Sequence, residues 1–156
     1  MSNRKSSILI VDDDRSIRTT LAAILEQDGY EVDTAENGAQ AIEKSNDKSF
    51  DLALVDMRLP DMMGTDLLNL MKERTPKTAK IMVTGYPSMQ NAISAVNEGA
   101  DAYIVKPVGA EILLETIRKH LQKRKEATRY SEQKVVDFIE SRKRELMKSR
   151  QQHSAP

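Results

Sequence analysis

Asp56 closes an apolar run, Leu52-Ala53-Leu54-Val55, and Met57-Arg58-Leu59-Pro60 follows it. A carboxylate at the tip of a buried strand, where a loop begins, stands where it can act as a nucleophile or a ligand. Other reactive side chains end similar runs. Asp12 and Asp13 follow Ile8-Leu9-Ile10-Val11, Thr84 follows Ile81-Met82-Val83, and Lys106 follows the run from Ala102 to Val105. Three carboxylates brought together raise one another's pKa and stay ionised only around a cation. No His or Cys stands near them. An oxygen-only set selects a hard ion, Mg2+ before zinc, and Mg2+ held by few protein oxygens keeps waters that phosphate oxygens replace. Lys106 adds a fixed positive charge and Thr84 a hydroxyl donor. The chemistry of such a set is phosphoryl transfer. Asp56 attacks in line while the metal and Lys106 neutralise charge spreading over the equatorial oxygens.

Taken singly, each residue has a plainer reading. Asp12-Asp13-Asp14 is also an N-cap and acidic first turn that complements a helix dipole. Asp56 before Leu-Pro and Thr84-Gly85 are also turn chemistry. Lys106 before Pro107 is also a solvated surface lysine. What favours the chemical reading is that every one of them stands at the carboxyl end of an expected strand.

The elements that must position them alternate. Ile8–Val11 reads as a strand buried on both faces. Ile17, Leu21, Ile24 and Leu25 share a helix face, and Gly29 follows where a left-handed residue ends a helix. Tyr30 to Ala35 alternates like an edge strand. Asn37-Gly38 is a turn before a short helix over Ala39–Ser45, and Leu52–Val55 is the third strand. Leu67, Leu70 and Met71 mark a helix that stops before Pro76, and Ile81–Val83 is the fourth strand. Met89, Ala92, Ile93 and Val96 mark a helix ended by Gly99. Ala102–Val105 is the fifth strand, and Leu113, Ile117 and Leu121 form the stripe of a fifth helix. Strand-helix alternation implies right-handed crossovers, hence an α/β, doubly wound parallel sheet with helices on both faces. The second and fifth strands are the least apolar and belong at the edges. That predicts a five-stranded, flavodoxin-like order of 2-1-3-4-5, whose ligands bind at the strands' carboxyl ends between strands one and three.

The chain has 156 residues with equal numbers of acidic and basic side chains, so as a whole it carries no nucleic-acid or membrane signature. The average hides two regions. Residues 1–121 hold 14 Lys and Arg against 19 Asp and Glu, and residues 122–156 hold 10 against 5. The expected domains are therefore 1–121, carrying the site, and 122–156, a net-basic helical tail or linker. No Cys is present, which removes disulfides and fits a reducing compartment. No secretory leader or membrane-length apolar run is visible, so the expected location is the cytoplasm.

With these residues the sequence resembles the receiver domain of two-component response regulators over about residues 7–121. The match includes Ile8-Leu9-Ile10-Val11-Asp12-Asp13-Asp14, the Asp56-Met57-Arg58-Leu59-Pro60 loop with Gly64 beyond it, Thr84-Gly85, Gly99-Ala100 and Tyr103-Ile104-Val105-Lys106-Pro107. It departs from the usual pattern in Gly85, where Ala is more frequent, and in the loop filling Asp61-Met62-Met63. The resemblance implies a phosphoacceptor at Asp56, charged by a histidine kinase or a histidine phosphotransfer protein. It implies Mg2+ on Asp13, Asp56 and the main-chain carbonyl of Arg58, with Asp12 acting through water. Lys106 would pair with the phosphoryl group, the bond before Pro107 would be cis, Thr84 would close on a phosphoryl oxygen and Tyr103 would swing inward. The surface of helix four, strand five and helix five would change with them. Such a chain is a switch rather than an enzyme, with only self-phosphorylation and autodephosphorylation chemistry.

Two other readings stand beside this one. Asp12-x-Asp14 also resembles the opening motif of haloacid dehalogenase-type phosphatases, which would make Asp12 the nucleophile but leaves Asp56 idle. No helix-turn-helix or P-loop follows residue 121, so the chain is either a receiver that signals by protein contact or the N-terminal part of a longer transcriptional regulator. In the tail, a heptad seam through Leu121, Thr128, Val135 and Arg142 and through Lys125, Glu132, Ile139 and Leu146 is apolar at four of eight positions, a poor coiled-coil pattern. Val135, Ile139 and Leu146 are expected to bury against a partner or a second subunit, a possible homodimer. Direct nucleic-acid or membrane contact is not expected.

Overall fold

The computed structural model describes residues 4–153; the first three residues of the polar N-terminus and the last three of the tail lie outside them. The chain divides into two compact units between Leu121 and Gln122.

In the first unit five strands alternate with helices: β1 (Ser7–Val11), α1 (Arg15–Gln27), β2 (Glu31–Ala35), α2 (Gly38–Asp47), β3 (Leu52–Asp56), α3 (Gly64–Arg74), β4 (Ala79–Thr84), α4 (Met89–Asn97) and β5 (Ala102–Val105), followed by the start of α5 (Ala110–His153). The sheet is parallel throughout in the order β2-β1-β3-β4-β5, as the apolar content of the strands predicts. β1 and β3 are buried at every position and β2 is exposed or half-buried at four of its five.

Side-chain alternation splits each strand between two cores. Ile8, Ile10, Leu52, Leu54 and Ile81 face Leu21 and Leu25 of α1 and Leu113 and Ile117 of α5. Leu9, Val11, Ala53, Val55 and Met82 face Ala41 of α2, Leu67, Leu68 and Met71 of α3 and Ala95 of α4. Each fully buried Leu or Ile contributes about 2 kcal/mol of transfer free energy, so the sheet is clamped from both sides and its carboxyl edge is a fixed platform. Gly29 and Gly99, at φ 94° and 103°, end α1 and α4 in the left-handed region.

Several boundaries differ from the sequence expectation. β3 runs one residue further, so Asp56 is its last member. α2 is longer at both ends, and Asn37, the first residue of the expected Asn-Gly turn, caps its start by accepting from Gln40 N–H. β4 begins at Ala79, before Lys80, whose charge argues against a buried strand position. Lys80 is nevertheless 4% exposed, because its ammonium donates to the carbonyls of Thr75 and Thr78 at 3.0 and 2.7 Å. Burial of a cation is tolerated where its protons are satisfied.

The second unit is helical. The last element of the chain, α5, is unbroken from Ala110 to His153. No Gly or Pro interrupts residues 110–153, and the polar stretch 122–134 is rich in Lys, Arg, Gln and Glu, all good helix formers. From 122 to 150 every side chain but that of Arg124 is exposed. Among the described residues no helix is long and apolar enough to cross a membrane.

Candidate functional site

The sheet brings the expected residues to one rim. Asp12 follows β1, and its N–H donates to Ala35 O at 3.1 Å, extending the ladder by one rung. Asp56 ends β3 on the adjacent strand, in register with Val83 of β4. Thr84 ends β4, and its carbonyl accepts from Lys106 N–H at 2.8 Å just past β5. The Lys106–Pro107 peptide bond is cis.

Carboxylate oxygens of Asp12, Asp13 and Asp56 lie within 4.8 Å of one another. The Lys106 ammonium reaches into the group, donating to Asp12 Oδ2 at 2.8 Å and standing 3.3 Å from Asp56 Oδ1. Asp12 and Asp56 are buried, at 3% and 8% exposure, while Asp13 faces solvent. Burial, then the neighbouring Asp12 charge, push the Asp56 carboxyl above its usual range; Asp13 adds to this and Lys106 offsets part of it. Burial alone would lower the Lys106 pKa. The hydrogen bond to Asp12 and the charges of Asp12 and Asp56 outweigh burial and raise it. One ammonium against three carboxylates leaves an excess of negative charge. With an all-oxygen donor set, that excess fits a hard divalent cation such as Mg2+.

Local structure holds these groups in place. Asp12 Oδ1 accepts from Asp14 N–H at 2.9 Å, and Asp14 caps α1 by accepting from Ile17 N–H at 3.2 Å. The capping reading of the acidic run is thus correct for Asp14 and leaves Asp12 and Asp13 to the site. Arg18, one turn into α1, donates from Nη1 to the Asp12 carbonyl at 2.7 Å. Gly64 is needed for close approach: a Cβ there would stand 2.1 Å from the Asp56 carbonyl oxygen, and its N–H donates to Met57 O at 2.6 Å.

Arg58 lies in the loop after β3, bridged to Met63, with its guanidinium 4.0 Å from the centre of the Tyr86 ring. Tyr86 N–H donates to Thr84 Oγ1 at 2.9 Å, and Thr84 is fully buried. Tyr103, in register with Met82 on β5, packs against the core beneath α2, α3 and α4. Its hydroxyl is buried with no hydrogen-bond partner.

Sequence reasoning missed Arg18, Tyr86 and Asp61. Asp61 accepts from Gly38 and Ala39 N–H at 2.9 Å each, tying the loop after β3 to the start of α2. Asp61 stands out in the sequence only as an atypical loop residue, and its partners at the start of α2 are brought near only by the fold.

The family model for the response regulator receiver domain matches residues 8–118. The chain is 39% identical over 137 residues to the transcriptional regulatory protein ZraR of Klebsiella oxytoca, covering 88% of this chain and 30% of that protein. The chain therefore spans about a third or less of the length of the curated relatives it matches first. Among solved structures it resembles a CheY-like receiver domain protein of Methanospirillum hungatei JF-1, with a TM-score of 0.78 and 44% identity, over 80% of this chain and 99% of that one. It also resembles a response regulator of Burkholderia pseudomallei solved with a phosphorylated aspartic acid, calcium ion and citrate, with a TM-score of 0.70 and 29% identity, over 80% of this chain and 73% of that one.

Proposed function

The chain belongs to the response regulator receiver family, and from that premise we propose that it is a phosphorylation switch in which Asp56 is the group modified. Membership makes it a two-component signalling domain rather than a conventional enzyme. A histidine kinase or histidine phosphotransfer protein is the donor. An Asp56 carboxylate oxygen bonds to phosphorus while the phosphorus–nitrogen bond of the phosphohistidine breaks and the imidazole leaves with the electron pair and takes up a proton. The mostly apolar cleft between Ile17, Thr20 and Leu21 of α1 and Pro107 and Val108 opens beside Lys106 and offers such a donor a docking surface.

Asp13, Asp56 and the Arg58 main-chain carbonyl would hold Mg2+, with Asp12 acting through water. When bound, the ion neutralises charge on the phosphoryl oxygens. Lys106, already 3.3 Å from Asp56, pairs with the acyl phosphate. Thr84 gives up its contact with Tyr86 N–H and turns its hydroxyl to a phosphoryl oxygen. Tyr103 follows. Its buried, unpartnered hydroxyl carries a cost of about 1–3 kcal/mol, which supports a side chain with more than one position. The output passes through α4, β5 and the start of α5, where Met89, Ile93, Val96 and Val105 are exposed, to a protein target or a second copy. This is a local charge biasing a two-state surface. Residues 1–121 form the switch and 122–156 an accessory tail.

The observation that carries the proposal is the convergence of three carboxylates and one ammonium around Asp56. In the phosphatase alternative Asp12 is the nucleophile, but both its oxygens are engaged, by Asp14 N–H and Lys106, and it is the more buried of the two. Incubation with Mg2+ and acetyl phosphate tests the assignment by intact mass. The chain is expected to gain one phosphoryl group and Asp56→Asn none; an Asp56→Asn chain still phosphorylated on another carboxylate would overturn it.

A further inference from the structure

The apolar residues of the tail stand exposed among the described residues. Val135, Val136, Phe138, Ile139 and Leu146 are each 46–66% exposed. A helix in water draws most of its stability from packing an amphipathic face, so a continuous helix through these residues calls for a cover. The seam that presents them runs at alternating spacings of four and three: Lys125, Thr128, Glu132, Val135, Ile139, Arg142, Leu146 and Ser149. Paired in parallel and in register with a second copy, it would set Lys125, Glu132 and Arg142 each against its own like charge.

Reversed, the same seam becomes complementary. About a two-fold axis at Asp137, Val135 meets Ile139 of the second copy, Glu132 meets Arg142, Thr128 meets Leu146 and Lys125 meets Ser149. Each pair occurs twice, as a two-fold contact requires. The apolar centre is flanked on both sides by a Glu–Arg layer. Phe138 and Val136 border the seam at the axis, where each meets its own copy. Asp137 is two residues from both Val135 and Ile139, so it lies on the far side of the helix, away from its counterpart. Among the described residues Arg142 pairs with Glu145 on its own helix at 3.5 Å, with both side chains about two-thirds exposed. Exposed pairs of that kind hold little, and the guanidinium is free to cross.

We propose that residues 125–149 pair antiparallel with the same segment of a second copy of this chain. The pairing rests on the tail alone and is independent of the chemistry at Asp56. Charge complementarity selects the orientation, and the apolar cluster supplies the attraction.

The full chain contains no Cys, so single cysteines report the orientation directly. Thr128 and Leu146 lie about 27 Å apart along one helix at 1.5 Å per residue, far beyond disulfide reach. Mixing Thr128→Cys with Leu146→Cys under mild oxidation should give the mixed disulfide, with little product from either variant alone. Self-linking of each variant, or no linking, overturns the proposal. Sedimentation equilibrium provides a second measurement. The native chain should rise above its 17.6 kDa monomer mass with concentration. Glu132→Arg and Arg142→Glu should each weaken association about tenfold, since both flanking layers become like-charged. The double variant should restore it. A chain that stays monomeric at every concentration assigns the face to a different partner and refutes self-pairing, as does a double variant no better than the singles.

Discussion

Asp56, buried beside Asp12, has its carboxyl raised first by burial and then by the Asp12 charge. A carboxyl whose pKa is higher folded than unfolded favours the folded state in its protonated form. Its contribution is fully present below the unfolded pKa and is lost as pH rises through the folded one. At neutral pH without metal, ionised Asp56 therefore works against stability. Asp56→Asn removes the charge and keeps the shape. It is expected to raise the receiver's stability by on the order of 1 kcal/mol, about 4 °C in melting temperature. Melts of both chains in chelator at neutral pH should show the gap, and melts near pH 3 should show it closing. A variant that melts lower at neutral pH would mean that the Lys106 contact outweighs burial and repulsion. The residues that matter here were legible because Asp12, Asp13, Asp56, Thr84 and Lys106 each terminate an apolar run. Arg18 and Tyr86 were not, since one supports a main-chain carbonyl and the other stacks across a gap between loops.

The parallel sheet and its order follow from which strands are apolar enough to be covered on both faces, and that property is local to each strand. Element ends are less visible, because the groups that satisfy them come from elsewhere. The start of α2 is the clearest case. Asn37 supplies one cap from the chain itself, but the N–H groups of Gly38 and Ala39 are taken by Asp61 from the loop after β3. Both are among the donors that a helix N-terminus leaves open. These two backbone bonds hold the Asp61 carboxyl below its usual range. Its stabilising contribution is present above the unfolded pKa and disappears as pH falls through the folded one. Asp61→Ala should leave the sheet intact and loosen this junction. Amide exchange at Gly38 and Ala39 should quicken roughly fivefold, the scale of a lost helix cap, while β1 and β3 amides keep their protection. Unchanged exchange at α2 would show that water replaces the carboxylate at no cost.

Across the whole chain the charges cancel, yet the site concentrates three carboxylates against one ammonium within the net-acidic unit. A divalent cation that binds the folded receiver and not the unfolded chain stabilises it by mass action, about 2.7 kcal/mol at a hundred times its dissociation constant. For a domain of this size that is about 10 °C. Mg2+ is therefore expected to raise the melting temperature progressively with concentration. In Asp56→Asn, with one carboxylate removed, the rise should be smaller and require more metal. Calorimetry suits the measurement, because the exposed helix beyond Leu121 loses structure gradually and would blur a helical signal, whereas the receiver's two cores should melt cooperatively. Sodium chloride at matched ionic strength separates site binding from screening, whose reach at 0.1 M is about 10 Å. If the two salts shift the transition equally, the carboxylates are balanced by Lys106 alone and the metal reading of the rim fails.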